Sequence, residues 1–319
     1  MKLFGKLVAV CAVASGLTGC LKDSSLMDPS KTHNVIEFAN TAGIATSVVG
    51  NIYPLYNINI LMQPTGTYNA IVSYSGADNA PEDITVEVAV ADQAVIDKYN
   101  SQNTKTFTML PSTMFSIPAT KVVIPKGRRQ VNLPITLTNT DQLWGKTYVL
   151  PLTIKSASMG VISGNFNTII YALNGINRLD GTYTLKFRFG TNDRGYDVNT
   201  TTWYYSDVQL VTASTTTSTM RNLNAGTSVT AAVHAAVTTA GLPSSIAALV
   251  PLLTYDLSTN KITNISNNTA GAKTVVPNPA VTDNRVDPAT GNVYASFILK
   301  ESGRTDMIIN DTLMYKSPR

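Results

Sequence analysis

The chain has 319 residues, a formal net charge of +4 and only 14% charged side chains. That length accommodates two ordinary domains. Lys2 and Lys6 supply two of the positive charges, so the chain beyond residue 19 carries +2. The densest basic stretch, Lys126-Gly127-Arg128-Arg129, reads as a turn, and no nucleic-acid partner is expected. Only two cysteines occur, Cys11 and Cys20. The remainder can therefore hold neither a disulfide framework nor a thiolate metal site. His33 and His234 lie far apart and outside any metalloprotease pattern, so each reads as a surface or strand residue. No cofactor or metal is expected.

In chain order, Lys2 and Lys6 precede a short apolar run from Leu7 to Leu17, too short to span a bilayer. Leu17-Thr18-Gly19-Cys20 resembles a bacterial lipobox. Residues 1–19 are thus expected to form a cleaved lipoprotein signal peptide, with lipid attached at Cys20. Each acyl methylene of a palmitate-type chain adds about 0.8 kcal/mol of anchoring. Residues 20–32 read as a polar tether. Lys22-Asp23 partly resembles the signal that places Bacteroidetes lipoproteins on the outer face of the outer membrane.

Residues 33–174 read as one domain. Asn34 to Phe38 alternates as a first strand, and Ala39 to Gly50 reads as a loop or irregular edge. Tyr53–Met62 and Tyr68–Ser75 flank the turn Pro64-Thr65-Gly66. Ile84, Val86, Val88 and Val90 share one face of a strand. Asp92 is placed to cap a helical turn ending near Asn100. Short strands follow at Phe115–Pro118, Lys121–Ile124, Gln130–Leu137, Tyr148–Ile154 and Thr168–Leu173, with Pro134 suiting an edge or bulge. Short strands at regular spacing with one helical inset predict an immunoglobulin-like β-sandwich.

The run from Asp83-Ile84-Thr85-Val86 through Lys98-Tyr99-Asn100, Leu110-Pro111, Ile124-Pro125-x-Gly127 and Tyr148-Val149-Leu150-Pro151 to Thr168–Leu173 resembles the N-terminal domain of many Bacteroidetes surface lipoproteins, catalogued as domain of unknown function 1735. The resemblance implies an immunoglobulin-like sandwich in glycan-utilisation or adhesion lipoproteins, and it transfers no catalytic residue.

Residues 175–319 read as a second β domain. Gly181-Thr182-Tyr183 opens a long alternating strand to Phe189, a start that resembles lipocalin-like barrels. Strands at Thr201–Thr212, Met220–Leu223, Leu252–Leu257, Lys261–Ser266, Val275–Pro277, Asn292–Lys300 and Ile308–Tyr315 predict an antiparallel meander or barrel. Asp287 to Asn292 reads as a hairpin turn. The Ala-rich stretch Val229–Leu253 reads as a loop insertion or, with Ser244 and Ser245 as caps, a helix over Ile246–Val250.

No nucleophile elbow, P-loop or dinucleotide fingerprint occurs, and no pair of carboxylates sits in a glycosidase motif. Asp306 and Asp311 could serve calcium, although the EF-hand periodicity is missing. Asp311-Thr312-Leu313 resembles a Bacteroidetes O-glycosylation signal. Saccharide recognition calls for flat aromatic faces beside planar hydrogen-bonding groups. The candidates are Trp203 and Tyr205 on one side of a strand, Asp193, Arg194 and Tyr196 in the preceding loop, and Trp144 elsewhere. The expected protein is a non-catalytic lipoprotein, anchored in the outer membrane and facing the exterior. It would bind glycan beside a TonB-dependent receptor; the alternative is an adhesive or structural lipoprotein with a protein partner.

Overall fold

A computed structural model describes residues 33–39, 52–199, 201–225, 232–237, 239–241, 243–271 and 273–319. The leader, the lipobox cysteine, the tether and the loop expected at 40–50 lie outside the described residues. The chain forms two compact units. The second comprises Leu173–Arg319 with two short excursions, Ile58–Gly66 and Leu137–Tyr148.

The first half is built from β1 (Val35–Phe38), β2 (Leu55–Leu61), β3 (Thr65–Ser75), β4 (Ile84–Val90), β5 (Thr108–Met109), β6 (Phe115–Ser116), β7 (Lys121–Ile124), β8 (Gln130–Thr138), β9 (Tyr148–Ala157), β10 (Val161–Ile162) and β11 (Thr168–Ile176). One sheet has the order β10-β1-β3-β8-β6, the other β2-β11-β9-β4-β7. β1 pairs β3 antiparallel and β10 parallel. Strand alternation turns Ile84, Val86 and Val88 inward, all buried. Tyr68 of β3 meets Tyr171 of β11 edge-on, with ring centroids 5.0 Å apart. The basic stretch forms the expected turn between β7 and β8, where Lys126 N–H donates to Asp83.

The helix α1 runs Gln93–Asn103, longer than the turn the sequence suggested. Asp92 occupies the N-cap but makes no side-chain capping bond, and Thr104 ends the helix in a left-handed conformation (φ 51°). Ile96 and Tyr99 hold α1 in place by burying against Leu55, Val149 and Ile170. Asn100 brackets the returning chain, donating to Phe107 O at 2.8 Å and accepting from Phe107 N. The exit is thus fixed by a side chain outside the reach of capping rules.

The second half is built from β12 (Gly181–Phe189), β13 (Tyr204–Thr212), β14 (Thr217–Asn222), β15 (Ala235–Val237), β16 (Pro243–Ser245), β17 (Pro251–Asp256), β18 (Lys261–Asn267), β19 (Lys273–Pro277), β20 (Arg285–Val286), β21 (Val293–Glu301) and β22 (Met307–Ser317). β12, β13, β14, β17, β18, β20, β21 and β22 pair in that order, and β22 returns to β12. The result is a closed eight-stranded meander, with β19 pairing along the far half of β21. Closure leaves no open edge among these eight strands. At Gly181 a Cβ would stand 2.9 Å from the Tyr315 ring and 3.1 Å from Ser317 O, so any larger residue would have to displace the last strand or its tyrosine. The Gly-x-aromatic start therefore marks where the last strand crosses the first. The all-β reading, a sandwich followed by an antiparallel barrel, holds.

Period-two alternation fills the barrel. Tyr183, Leu185, Phe187 and Phe189 of β12 point inward with Val293, Ala295, Phe297 and Leu299 of β21. Asn177 and Asp180 organise the end where β12 begins. Asn177 donates to Ser214 O and Thr217 O, and Asp180 accepts from both the N–H and the hydroxyl of Thr212. Burial raises the Tyr183 hydroxyl above its ordinary value and pushes Tyr255 up to about 12.

The described part of the Ala-rich stretch is neither a helix nor a plain loop. β15 and β16 form a short antiparallel hairpin, followed by Ala248 in a left-handed turn (φ 55°). Val233, Ala236, Ile246 and Leu249 join the barrel core. Small apolar side chains suit a segment that must enter an already crowded interior. His234, expected at a surface or on a strand, is fully buried, and its Nε2 lies 3.0 Å from both carboxylate oxygens of Asp311. Asp311 is therefore unavailable to a shared calcium site, while Asp306 pairs with Lys300. Among the described residues no cluster of three or more His, Cys, Asp or Glu could hold a metal.

Candidate functional site

An antiparallel meander alternates its connections between two ends. The β12–β13 loop, the β14–β17 insertion, the β18–β19 connection and the β21–β22 turn therefore share one end. They surround a cavity of about 390 Å³, within the usual range for small-molecule sites. The β12–β13 loop contributes Asp193, Arg194 and Tyr196, and the insertion contributes Ser245, Ile246 and Ala247. Lys273 opens β19, Glu301 closes β21, and Arg304 sits in the final turn.

The loop takes its shape from Asn192. Its side-chain oxygen accepts from the N–H groups of Arg194 (3.0 Å) and Tyr196 (3.2 Å), and its amide donates to Gly190 O and Tyr196 O. This local bonding is the usual turn-forming use of asparagine. Gly195 supplies the left-handed residue (φ 75°), and its carbonyl accepts from Thr239 N of the insertion at 2.8 Å. Tyr196 folds inward onto Phe189, with centroids 4.4 Å apart.

Charges line the wall. The Arg194 guanidinium bonds Glu301 at 2.7 Å and lies 3.5 Å from Asp193. Lys273 reaches Glu301 at 3.3 Å. Arg304 stands farther off, 3.7 Å from Asp193 and 3.8 Å from Glu301. The hydrogen bond from Arg194, with Lys273 adding to it, holds the Glu301 carboxyl below its ordinary value. The Thr305 N–H does the same for Asp193, helped by Arg194 and Arg304. A glycosidase acid needs the opposite shift, a carboxyl kept protonated near neutrality. These two carboxylates are suited to hold cations and accept hydrogen bonds.

The sign of these shifts gives a pH prediction. Folded-state values below the unfolded ones mean that the stabilisation is complete above about pH 4.5 and is lost as pH falls through the lowered values. Between pH 5 and pH 3 the urea midpoint of the barrel should fall further for the wild type than for Glu301→Gln. Equal falls would remove Glu301 from the account.

The other aromatic candidates lie elsewhere. Trp203 and Tyr205 are not in the cavity wall. Lys186 and Arg188 of β12 approach the Trp203 ring at 4.3 Å and 4.9 Å from its centroid. Tyr205 is exposed, and Tyr204 points the other way onto Phe187 and Phe189. Trp144 is exposed after a short 3-10 turn, Thr140–Leu143, and is not part of the cavity. Lys273, Glu301 and Arg304 were not read as site residues from the sequence, and Ser245–Ala247 was read only as a loop insertion or the start of a helix. Gly303 between Glu301 and Arg304 (φ 76°) is the one local signal that could have marked their turn.

A family model described as a "-like, N-terminal domain" matches residues 38–161. No curated protein matches the chain. Among solved structures, a Bacteroides ovatus protein of unknown function is similar at a TM-score of 0.51 and 14% identity, over 89% of this chain and 95% of that one. A multidomain Bacteroides ovatus protein including domain of unknown function 1735 gives 0.42 and 12% identity, over 87% and 93%. An auxiliary nutrient binding protein from Bacteroides thetaiotaomicron gives 0.38 and 13% identity, over 86% and 94%. The first of these likenesses places the two-part β architecture of this chain among solved Bacteroides folds.

Proposed function

We propose that the protein is a cell-surface lipoprotein, anchored in the outer membrane through Cys20, that binds glycan at the open end of its barrel without cleaving it. The observation that carries this reading is the cavity at that end. Asp193 and Arg194 converge there with Glu301 and Lys273, a wall of planar and cationic groups suited to sugar hydroxyls, and Arg304 stands at the rim. Lowered carboxyl values in that wall favour binding over acid catalysis. A receptor of the TonB-dependent class is the natural recipient of a captured saccharide.

Cells expressing the full chain should retain fluorescent oligosaccharides, and the purified chain should bind members of a glycan array. The Cys20→Ser chain should appear in the soluble fraction and leave the cells bare. An array without any bound saccharide would sink the reading.

A second reading, an adhesive lipoprotein with a protein partner, draws on the outer face of β12 and β13. Trp203, Tyr205, Lys186 and Arg188 form an aromatic and cationic patch there, the composition that interface hot spots favour.

A further inference from the structure

The cavity wall carries three cations, Arg194, Lys273 and Arg304, against two carboxylates, Asp193 and Glu301. Distances and exposure show which cation is in excess. Arg194 is committed: its side chain is 10% exposed, one nitrogen bonds Glu301 at 2.7 Å, and the other lies between Asp193 and the Met307 sulfur. Lys273 takes the second oxygen of Glu301 at 3.3 Å. Asp193 turns one oxygen to the Thr305 N–H at 2.9 Å.

Arg304 is left at the rim. Its side chain is 49% exposed, and its approaches to the two carboxylates, 3.7 Å and 3.8 Å, exceed the length of a charge-assisted hydrogen bond, about 2.7–2.9 Å. Asp306 in the same turn pairs with Lys300 and does not line the cavity. Gly303 in its left-handed conformation and the bond from Arg304 N to Glu301 O set the turn that presents this side chain. A guanidinium offers a rigid fork that can bind two oxygens of a carboxylate or of a tetrahedral oxyanion at once. Both carboxylates already have cationic partners, so they do not cancel the third charge.

We infer that the pocket selects acidic saccharides, those bearing a carboxylate or sulfate group, and that Arg304 is the residue that makes the choice. This deepens the glycan-binding reading and rests on it. An acid group at the rim would replace the two long ion pairs of Arg304 with a bidentate contact, while sugar hydroxyls meet the inner wall. A neutral sugar leaves Arg304 as it is and gains nothing from it. The interaction sits at a solvent-exposed rim, so added salt should weaken it, the screening length being about 8 Å at 0.15 M.

The test is calorimetric titration of the full chain in detergent with digalacturonate, a sulfated disaccharide and neutral galactobiose at low and physiological salt. The expected result is at least tenfold tighter binding of one or both acidic probes than of galactobiose. Arg304→Gln should bring that ratio within threefold, with the loss falling mainly on the acidic probes. Equal affinity for acidic and neutral probes, or an acidic preference that survives Arg304→Gln, overturns the inference while the glycan reading stands. Failure of every saccharide to bind overturns both, and binding of inorganic sulfate alone would not rescue either.

Discussion

His234→Ala is expected to destabilise the barrel by about 3–5 kcal/mol, because it strands a buried carboxylate. Both side chains are fully buried, and Nε2 lies 3.0 Å from each oxygen of Asp311. The ring is also enclosed by Phe187, whose centroid is 4.9 Å away, and by Phe297 at 6.0 Å. Both groups are shielded from solvent, so the truncation removes the donor that offsets the desolvation penalty of the carboxylate. Urea unfolding at neutral pH should show a lower midpoint with an unchanged slope. Replacing both partners with leucine removes the stranded group, so H234L/D311L should recover most of the loss. A single-variant cost below about 1 kcal/mol would mean that the pair does not hold the insertion in the barrel.

Phe187→Ala should cost a similar amount, about 3–5 kcal/mol, for a different reason. Phe187 is fully buried and its ring meets Phe189 at 5.5 Å, Tyr204 at 5.6 Å and His234 at 4.9 Å. These partners belong to β12, β13 and the insertion, so the residual cavity would open where three segments meet. A closed barrel cannot collapse around such a void without breaking strand pairing, and the volume left behind sets the penalty at roughly 24 cal/mol per Å³. Phe187→Leu, which keeps most of the volume, should cost less than half as much. Because Phe187 and His234 touch, the double alanine variant should cost less than the sum of the two single changes. Strict additivity in urea melts would show that the insertion packs independently of β12.

Much of the strand pattern was legible in the sequence. The inward residues of β12, from Tyr183 to Phe189, and of β4, from Ile84 to Val88, follow from a side-chain period of two. The hairpin at Asp287–Asn292 was readable from its turn residues. There Gly291 N–H donates to Asp287 O, and the glycine adopts φ 73°. The Ala-rich insertion was not legible, since its small apolar residues fit a loop, a helix or a core equally well. Its burial depends on the ring of strands around it. The aromatic trio at Trp203–Tyr205 drew attention to the outer wall, because strand alternation tells which residues share a side but not which side faces a ligand.

Local patterns in the chain were enough to show a mainly β protein with one helical inset, where most of its strands run, and that Asp193, Arg194 and Tyr196 share a loop. These properties depend on residues a few positions apart, where alternation and turn chemistry act. Long-range folding alone shows that the barrel closes through β22 on β12, and that His234 meets Asp311 across 77 positions. It is also what gathers four connections, three of them bearing charges, around one cavity. Such contacts arise when strand pairing brings distant segments together, and their energies depend on burial. A local pattern therefore cannot reveal them before the ring is closed.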